Sequence, residues 1–349
     1  MTLRVVQWTT GNVGKQSIQA VLGHPDLELI GCYAWSADKV GRDVGELCGI
    51  EPVGVAATDD VEALLALEPD CVVYNPMWFD VDEMVRILEA GVNMVATAAF
   101  IDGRSYPDDG RRRLLDACER GGSSLFGSGI SPGFVQLVTI VLAGASDRID
   151  RVVMRESADT TAYDSPATEI PVGFGRPLDD PALPEMTAAA TVVFSEAVAL
   201  VGDALGIELD EIVCEAEYAK TTVDLDLGSW QIPKDTVAGV TIHWHGKVAG
   251  ASVVEVCVRW RKGDSIEPDW EIGMGWEIEI QGRPTLTTKI DILPPPDFEA
   301  TTMQEFMVLG HILTAMPVVH AIPRVVAAPP GIVTYADLPL PLPRGVVAV

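Results

Sequence analysis

Two glycines near the start of the chain, Gly11 and Gly14, stand where chemistry on a phosphate would need them. They follow a short apolar run (Leu3, Val5, Val6) in the turn Gly11-Asn12-Val13-Gly14, after which Val13, Ser17, Ala20 and Val21 recur on one helical face. A strand, a tight turn and a helix start aim backbone N–H groups and the positive end of a helix dipole at an anion. The usual dinucleotide fingerprint has three glycines. Here Gly11 and Gly14 take the last two places, while Trp8, Thr9 and Thr10 occupy the region of the first. Thr9, Thr10, Gly11, Asn12, Val13 and Gly14 are therefore the candidate dinucleotide turn. After the next apolar run, where the fingerprint has an acid for the ribose hydroxyls, this chain has Ser36, Lys39 and Arg42. A hydroxyl and two cations suit a 2′-phosphate, which favours NADP(H) over NAD(H). His243 and His245 have metal-ligand spacing on one strand face, but no Cys, Asp or Glu completes the set nearby, so no metal is expected.

Alternating elements must position these groups. Apolar runs at 3–8, 27–34, 53–56, 70–74, 93–97 and 124–126 alternate with helical stretches, including 60–67, 81–90 and 109–120. Six strands separated by helices imply a parallel sheet covered on both faces. Ligands of such sheets lie beyond the carboxyl ends of the strands. That rule gathers the phosphate turn, Asn75-Pro76-Met77-Trp78, Thr97-Ala98 with Phe100, and the loop holding Ser128, Gly129 and Ser131 around one crevice.

The character changes after Arg151. A strand at 152–156 leads into a polar loop, 157–176, and a helix fits 187–206. Runs at 236–248, 252–261, 270–281 and 285–293 alternate with a period of two, the pattern of an antiparallel sheet with one buried face. The face without helices, rich in Trp230, Trp244, Trp260, Trp270 and Trp276, is expected to serve a subunit interface. A helix is expected at 303–316, and the Pro/Gly-rich tail, 321–343, should return to the first domain. The fold class is α/β: a Rossmann-type parallel sheet plus an α+β domain with a mostly antiparallel sheet. The expected domains are 1–146 for the dinucleotide, 147–300 for substrate and dimerisation, and 301–349 packing back on the first.

With 51 acidic against 24 basic residues among 349, the formal charge is −27, which argues against nucleic acid and anionic membranes as partners. The six cysteines contain no C-x-x-C and sit in apolar runs, as buried free thiols of a reducing compartment do. No leader precedes the first strand and no apolar run reaches the length of a membrane span, so a cytoplasmic location is expected.

The order of motifs resembles the dihydrodipicolinate reductase superfamily, which pairs a dinucleotide-binding domain with a sheet domain and returns its C-terminal segment to the first. Glu156 and Asp164-Ser165-Pro166 are placed like that family's substrate segment. There the chain departs. The family's catalytic histidine falls at Asp159, its lysine at Ala162 beside Tyr163, and its dicarboxylate-gripping Ser-Gly-Thr at Ala167-Thr168-Glu169. Acidic groups facing the substrate suit a cation, so dihydrodipicolinate is not the expected substrate.

Within the superfamily the chain is more similar to 2,4-diaminopentanoate dehydrogenase and the native amine dehydrogenases. The matching stretches run from Ser128 to Phe134, from Glu156 to Asp159, and from Ala321 through Thr334. The resemblance implies NAD(P)-dependent interconversion of an amine with a carbonyl compound and ammonia, usually in a homodimer. An iminium is a cation, so a carboxylate that stabilises it and relays protons is required. Asp159 is the first candidate, with Glu156 and Asp102 behind it; Tyr163 is a candidate donor to the carbonyl oxygen. Met77, Trp78, Phe134 and Phe174 are candidate apolar walls for a small aldehyde or ketone. Two other readings stay open: an imine reductase acting on a different cyclic substrate, and a dinucleotide-binding protein without catalysis.

Overall fold

The structure, a computed structural model, describes residues 2–97, 99–107, 109–300 and 302–346. The chain divides into two compact units, Met1–Phe134 with Gly310–Val349, and Val135–Leu309. The first opens with β1 (Leu3–Trp8), α1 (Asn12–Gly23), β2 (Leu27–Tyr33), α2 (Val44–Cys48), β3 (Ala57–Thr58) and α3 (Val61–Leu65). It continues with β4 (Cys71–Tyr74), α4 (Val81–Glu89), β5 (Asn93–Ala96), α5 (Gly110–Gly121) and β6 (Ser124–Gly127). The second holds α6 (Val135–Ala143), β7 (Arg148–Asp159), α7 (Pro166–Glu169), α8 (Leu183–Ala190), α9 (Val193–Leu205), β8 (Glu211–Thr221), β9 (Leu225–Asp226) and β10 (Gln231–Ile232). It is completed by β11 (Val237–Val248), β12 (Ala251–Arg261), β13 (Ile266–Glu267), β14 (Gly275–Arg283), β15 (Leu286–Ile290) and α10 (Met303–Phe306). The chain then supplies α11 (Val308–Val326) and β16 (Gly331–Val333).

The first sheet is parallel throughout, in the order β16-β6-β5-β4-β1-β2-β3. Its strands are short and apolar because helices bury both faces; Val6, Val72, Met94 and Leu125 are fully shielded. It has seven strands rather than the expected six, the seventh being β16 from the C-terminal segment. The third strand lies at Ala57–Thr58, not at 53–56. Asp43 draws that stretch into a turn by accepting from Val53 N at 2.9 Å and Gly54 N at 2.8 Å, and Gly54 takes a left-handed φ of 78°.

The second sheet runs β13-β8-β11-β12-β7-β14-β15. It is antiparallel except where β12 and β7 run side by side. The helix expected over 187–206 is two helices, α8 and α9, bent by 58°. Strand alternation places Trp244, Trp260 and Trp276 on the helix-covered face, so these three do not belong to the helix-free face on which they were expected, whereas Trp270 lies on that face under Arg259. Trp244 Nε1 donates to Thr191 Oγ1 at 3.2 Å, and Trp260 packs on Phe194. The opposite face carries charge instead: Arg151, Arg155, His243, His245, Glu255, Glu277 and Glu279.

By length and composition α11 qualifies as a membrane span, with a mean hydropathy of 1.3, contrary to the expectation that no run is long enough. Pro317 and Pro323 disguise it as two shorter segments. Ala315, Val318, Val319, Ala321, Ile322 and Val325 are buried and form one stripe along it. All six cysteines are unpaired, and burial pushes the Cys32 thiol up to about 12.

Candidate active site

The phosphate turn forms at the carboxyl end of β1. Gly11 caps α1 without a side-chain partner, and a Cβ added there would meet nothing within 4 Å. The first N–H groups of a helix need external acceptors. Gly14 is obligatory for a different reason: a Cβ there would lie 2.5 Å from Thr9 O and 3.2 Å from Gln7 Nε2. Thr9 does the work of the missing first glycine, holding a left-handed φ of 72° at a strain of about 1–2 kcal/mol. Thr10 is 3% exposed, and its buried Oγ1 has no hydrogen-bond partner among the described residues. An uncapped helix start, open space over Gly11 and an orphaned hydroxyl fit a pyrophosphate. Asn12 and Val13 supply the first turn of the helix.

Gln7, which the sequence did not single out, ties the strand ends together. Its Nε2 donates to Thr9 O at 3.0 Å and to Asn75 Oδ1 at 2.8 Å, and Asn75 Nδ2 donates to Thr97 Oγ1 at 2.9 Å. Thr9 Oγ1 donates to Asn75 O at 3.1 Å. The expected neighbours at the ends of β1, β4 and β5 are thus one hydrogen-bonded network. Further along this edge, Thr97, Ala99, Phe100, Ser128, Gly129, Ile130, Ser131, Pro132 and Thr314 line a cavity of about 110 Å³. Ser128 Oγ lies 2.8 Å from Tyr335 Oη, so the C-terminal segment orients it. Gly133 lets the loop fold over Ser128, because a Cβ there would come within 2.5 Å of Ser128 Oγ.

The remaining candidates of this unit are more varied. Ser36 donates to Asp38 Oδ1 at 2.6 Å; that bond holds the Asp38 carboxyl below its ordinary range, with help from Lys39 and Arg42. Asp102 is 3% exposed and paired with Arg104 at 3.1 Å. Met77 and Trp78 are each 62% exposed beside Pro76, and Phe134 is half-buried. Ala98 lies outside the described residues.

In the second unit Glu156 and Asp159 fall on opposite faces of β7, so the two do not reach one reacting atom. Glu156 is clamped by two indoles, Trp260 Nε1 at 2.8 Å and Trp276 Nε1 at 2.9 Å. Asp159 accepts from Thr161 Oγ1 at 2.5 Å and Arg261 Nε at 3.3 Å, and Tyr163 lies four residues on, 38% exposed. Phe174, expected as a pocket wall, is 1% exposed and stands 5.8 Å from Lys262 Nζ; covered from solvent, it supports that lysine. Lys262 is the cation that the loop lacks in sequence. It reaches in from the end of β12 and donates to Thr160 O at 2.5 Å and Tyr163 O at 2.9 Å.

The expectation that no acid joins His243 and His245 also fails. Register places Glu255 opposite His245, and His243 Nδ1 lies 2.8 Å from Glu255 Oε1. The partner sits ten or more residues away and is visible only once the strands pair.

The parallel sheet and the phosphate turn at the end of β1 are those of an oxidoreductase that takes a nicotinamide dinucleotide. Residues 5–97 match the dihydrodipicolinate reductase N-terminus family, and residues 134–347 match the 2,4-diaminopentanoate dehydrogenase C-terminal domain family. The chain belongs to this amine dehydrogenase branch and acts on CH–NH2 groups. It is 34% identical to the amine dehydrogenase of Streptomyces virginiae over 97% of its own length and 96% of that protein's. It is 26% identical to 2,4-diaminopentanoate dehydrogenase of Acetoanaerobium sticklandii, covering 74% and 70% respectively. The solved amine dehydrogenase of Mycobacterium smegmatis shares the fold, with a TM-score of 0.79 at 22% identity over 99% of this chain and 98% of that one.

Proposed function

We propose that the chain reductively aminates small aldehydes or ketones with ammonia, and deaminates the corresponding amines in reverse. The observation that carries this reading is the strand-end cavity of the first unit, on the same edge as the uncapped turn of α1. When bound there, a nicotinamide dinucleotide supplies or accepts the hydride. Thr9, Thr10 and the N–H groups from Gly11 to Gly14 bind the pyrophosphate; Asn75, Thr97, Ser128, Gly129 and Ser131 hold the nicotinamide end. Ser36, Lys39 and Arg42 favour NADP(H), while Asp38 in the same turn supports NAD(H) as second cofactor.

Asp159 stabilises the iminium cation and moves protons between ammonia, carbinolamine and water. Tyr163 donates to the carbonyl oxygen. The clamped Glu156 supports the strand beneath them. Met77, Trp78 and Phe134 offer apolar surface to the substrate's alkyl group. A homodimer and a cytoplasmic location complete the reading, supported by the family resemblance and by six unpaired thiols.

The test follows oxidation of NADPH and of NADH with a panel of aldehydes and ketones, with and without excess ammonium at mildly alkaline pH. Ammonium-dependent oxidation supports the proposal, and the faster cofactor assigns the role of Ser36–Arg42. Oxidation of cyclic imines without ammonium moves the assignment to an imine reductase. Binding without turnover moves it to a non-catalytic protein.

A further inference from the structure

The charged face of the second sheet brings two imidazoles and a carboxylate to one point. On β11, Trp244 and Gly246 face the helices: a Cβ at Gly246 would meet Val198 of α9 at 2.7 Å. Alternation therefore turns His243 and His245 to the other side. The antiparallel register with β12 sets Glu255 directly across from His245 and Cys257 across from His243. His243, His245 and Glu255 each offer a ligand atom, and these atoms lie within 4.8 Å of one another. The imidazoles are nearly parallel, 5° apart with centroids 5.6 Å from each other. Glu255 is buried, with its side chain 7% exposed, and both histidines are half-buried.

We propose that His243, His245 and Glu255 bind a divalent transition-metal ion of the Zn²⁺ class, clipping β11 to β12. Two imidazoles and one carboxylate form a nitrogen-rich set that selects zinc over the oxygen-seeking Mg²⁺ and Ca²⁺. Bonds of about 2.0–2.2 Å place two ligands of a tetrahedral ion about 3.3–3.5 Å apart. Binding therefore requires the three ligand atoms to draw together from the observed separations of up to 4.8 Å. The supporting contacts are in place. His245 Nδ1 lies 2.9 Å from Ser252 Oγ, which fixes the ring and leaves Nε2 for the ion. Arg151 bonds the second oxygen of Glu255, orienting the carboxylate while its charge opposes a cation. Three protein ligands leave a position for water.

Arg151 gives the proposal an outcome that adventitious binding to an acidic surface lacks. The experiment titrates the full chain, stripped with a chelator, with Zn²⁺ by calorimetry and with Co²⁺ by visible absorption, without cofactor or substrate. One Zn²⁺ per chain is expected, with a tetrahedral Co²⁺ spectrum and a higher Tm when the ion is bound. His245→Asn, which can still pair with Ser252, and Glu255→Gln should each weaken binding at least tenfold. Arg151→Met should tighten it several-fold. Wild-type affinity and spectrum in His243→Ala/His245→Ala, or weaker binding in Arg151→Met, overturn the assignment. If these variants misfold, His245→Asn with an unchanged circular dichroism spectrum decides alone. The readout does not involve turnover, so it stands apart from the proposed reaction.

Discussion

Lys262 Nζ lies 2.5 Å from Glu169 Oε1, with the lysine wholly shielded and the carboxylate 7% exposed. The same ammonium holds the carbonyls of Thr160 and Tyr163, so one buried pair fixes the loop that carries the proposed catalytic groups. Removing one partner of such a pair leaves an uncompensated buried charge. Lys262→Met should therefore cost about 3–5 kcal/mol in urea unfolding. Adding Glu169→Leu should restore part of that loss. An unchanged urea midpoint in Lys262→Met would show that the pair contributes no stability.

The pH dependence follows from Glu169. Burial outweighs the attraction of Lys262 and pushes the carboxyl from 4.5 up to about 7, while burial lowers Lys262. A carboxyl raised in the folded state keeps a proton that the unfolded chain has lost. Its contribution is complete below pH 4.5 and disappears as pH rises to about 7. Glu169→Gln cannot titrate, so the stability advantage of wild type over it should shrink across that window. Unfolding curves at several pH values check this, and a constant difference would refute it.

Gly11 and Gly14 should respond differently to a methyl group. Gly14→Ala drives Cβ against Thr9 O, so destabilisation of about 1–3 kcal/mol and loss of dinucleotide binding are expected. At Gly11 the space is open, so Gly11→Ala should keep stability within about 1 kcal/mol. Its dinucleotide affinity should still fall tenfold or more, because the methyl enters the space proposed for the phosphate. Fluorescence titration with NADPH and a thermal melt separate the effects. Wild-type affinity in Gly11→Ala would remove this turn from the site.

Glu156 and Asp159 offer a similar contrast. Asp159→Asn should lower kcat by about 10²–10⁴-fold with the fold intact, the usual contribution of a proton-transfer group. Glu156→Gln presents an amide N–H to one of two indole donors, which should cost about 1–3 kcal/mol of stability. Steady-state kinetics paired with melting curves distinguish them; a kcat collapse in Glu156→Gln with normal Tm would exchange the roles.

Most of the first unit is legible in sequence because short apolar strands, glycine turns and capped helices are local signals. Asp60, for instance, caps α3 by accepting from Ala63 N at 3.0 Å, as its position suggests. What escaped reading depends on pairing between distant residues. Gln7 becomes a hub only when β1 meets β4, and Lys262 only when β12 ends beneath the loop at 160–163. Glu255 joins the histidines only through the β11–β12 register. β8 alternates with the same period, Glu211, Glu215 and Glu217 lying on the face away from the helices, but its glutamates, alanines and lysine are weak strand formers and mask the signal. The tryptophans were noticed as residues, but the side of the sheet they occupy depends on odd or even position within each strand.

The pairing of β16 with β6 has a consequence for how the protein is made. Translation delivers β6 some two hundred residues before its neighbour, and the second unit is synthesised whole in the interval. On the ribosome the inserted unit can finish folding while the surrounding sheet still presents a bare strand edge. Such an edge recruits stray strands. Release factors and chaperones therefore meet a chain whose earliest segment is the last to be completed. A stop codon anywhere before Gly331 would leave that edge permanently open, exposing truncated products to aggregation and proteolysis even with every residue of the phosphate turn in place.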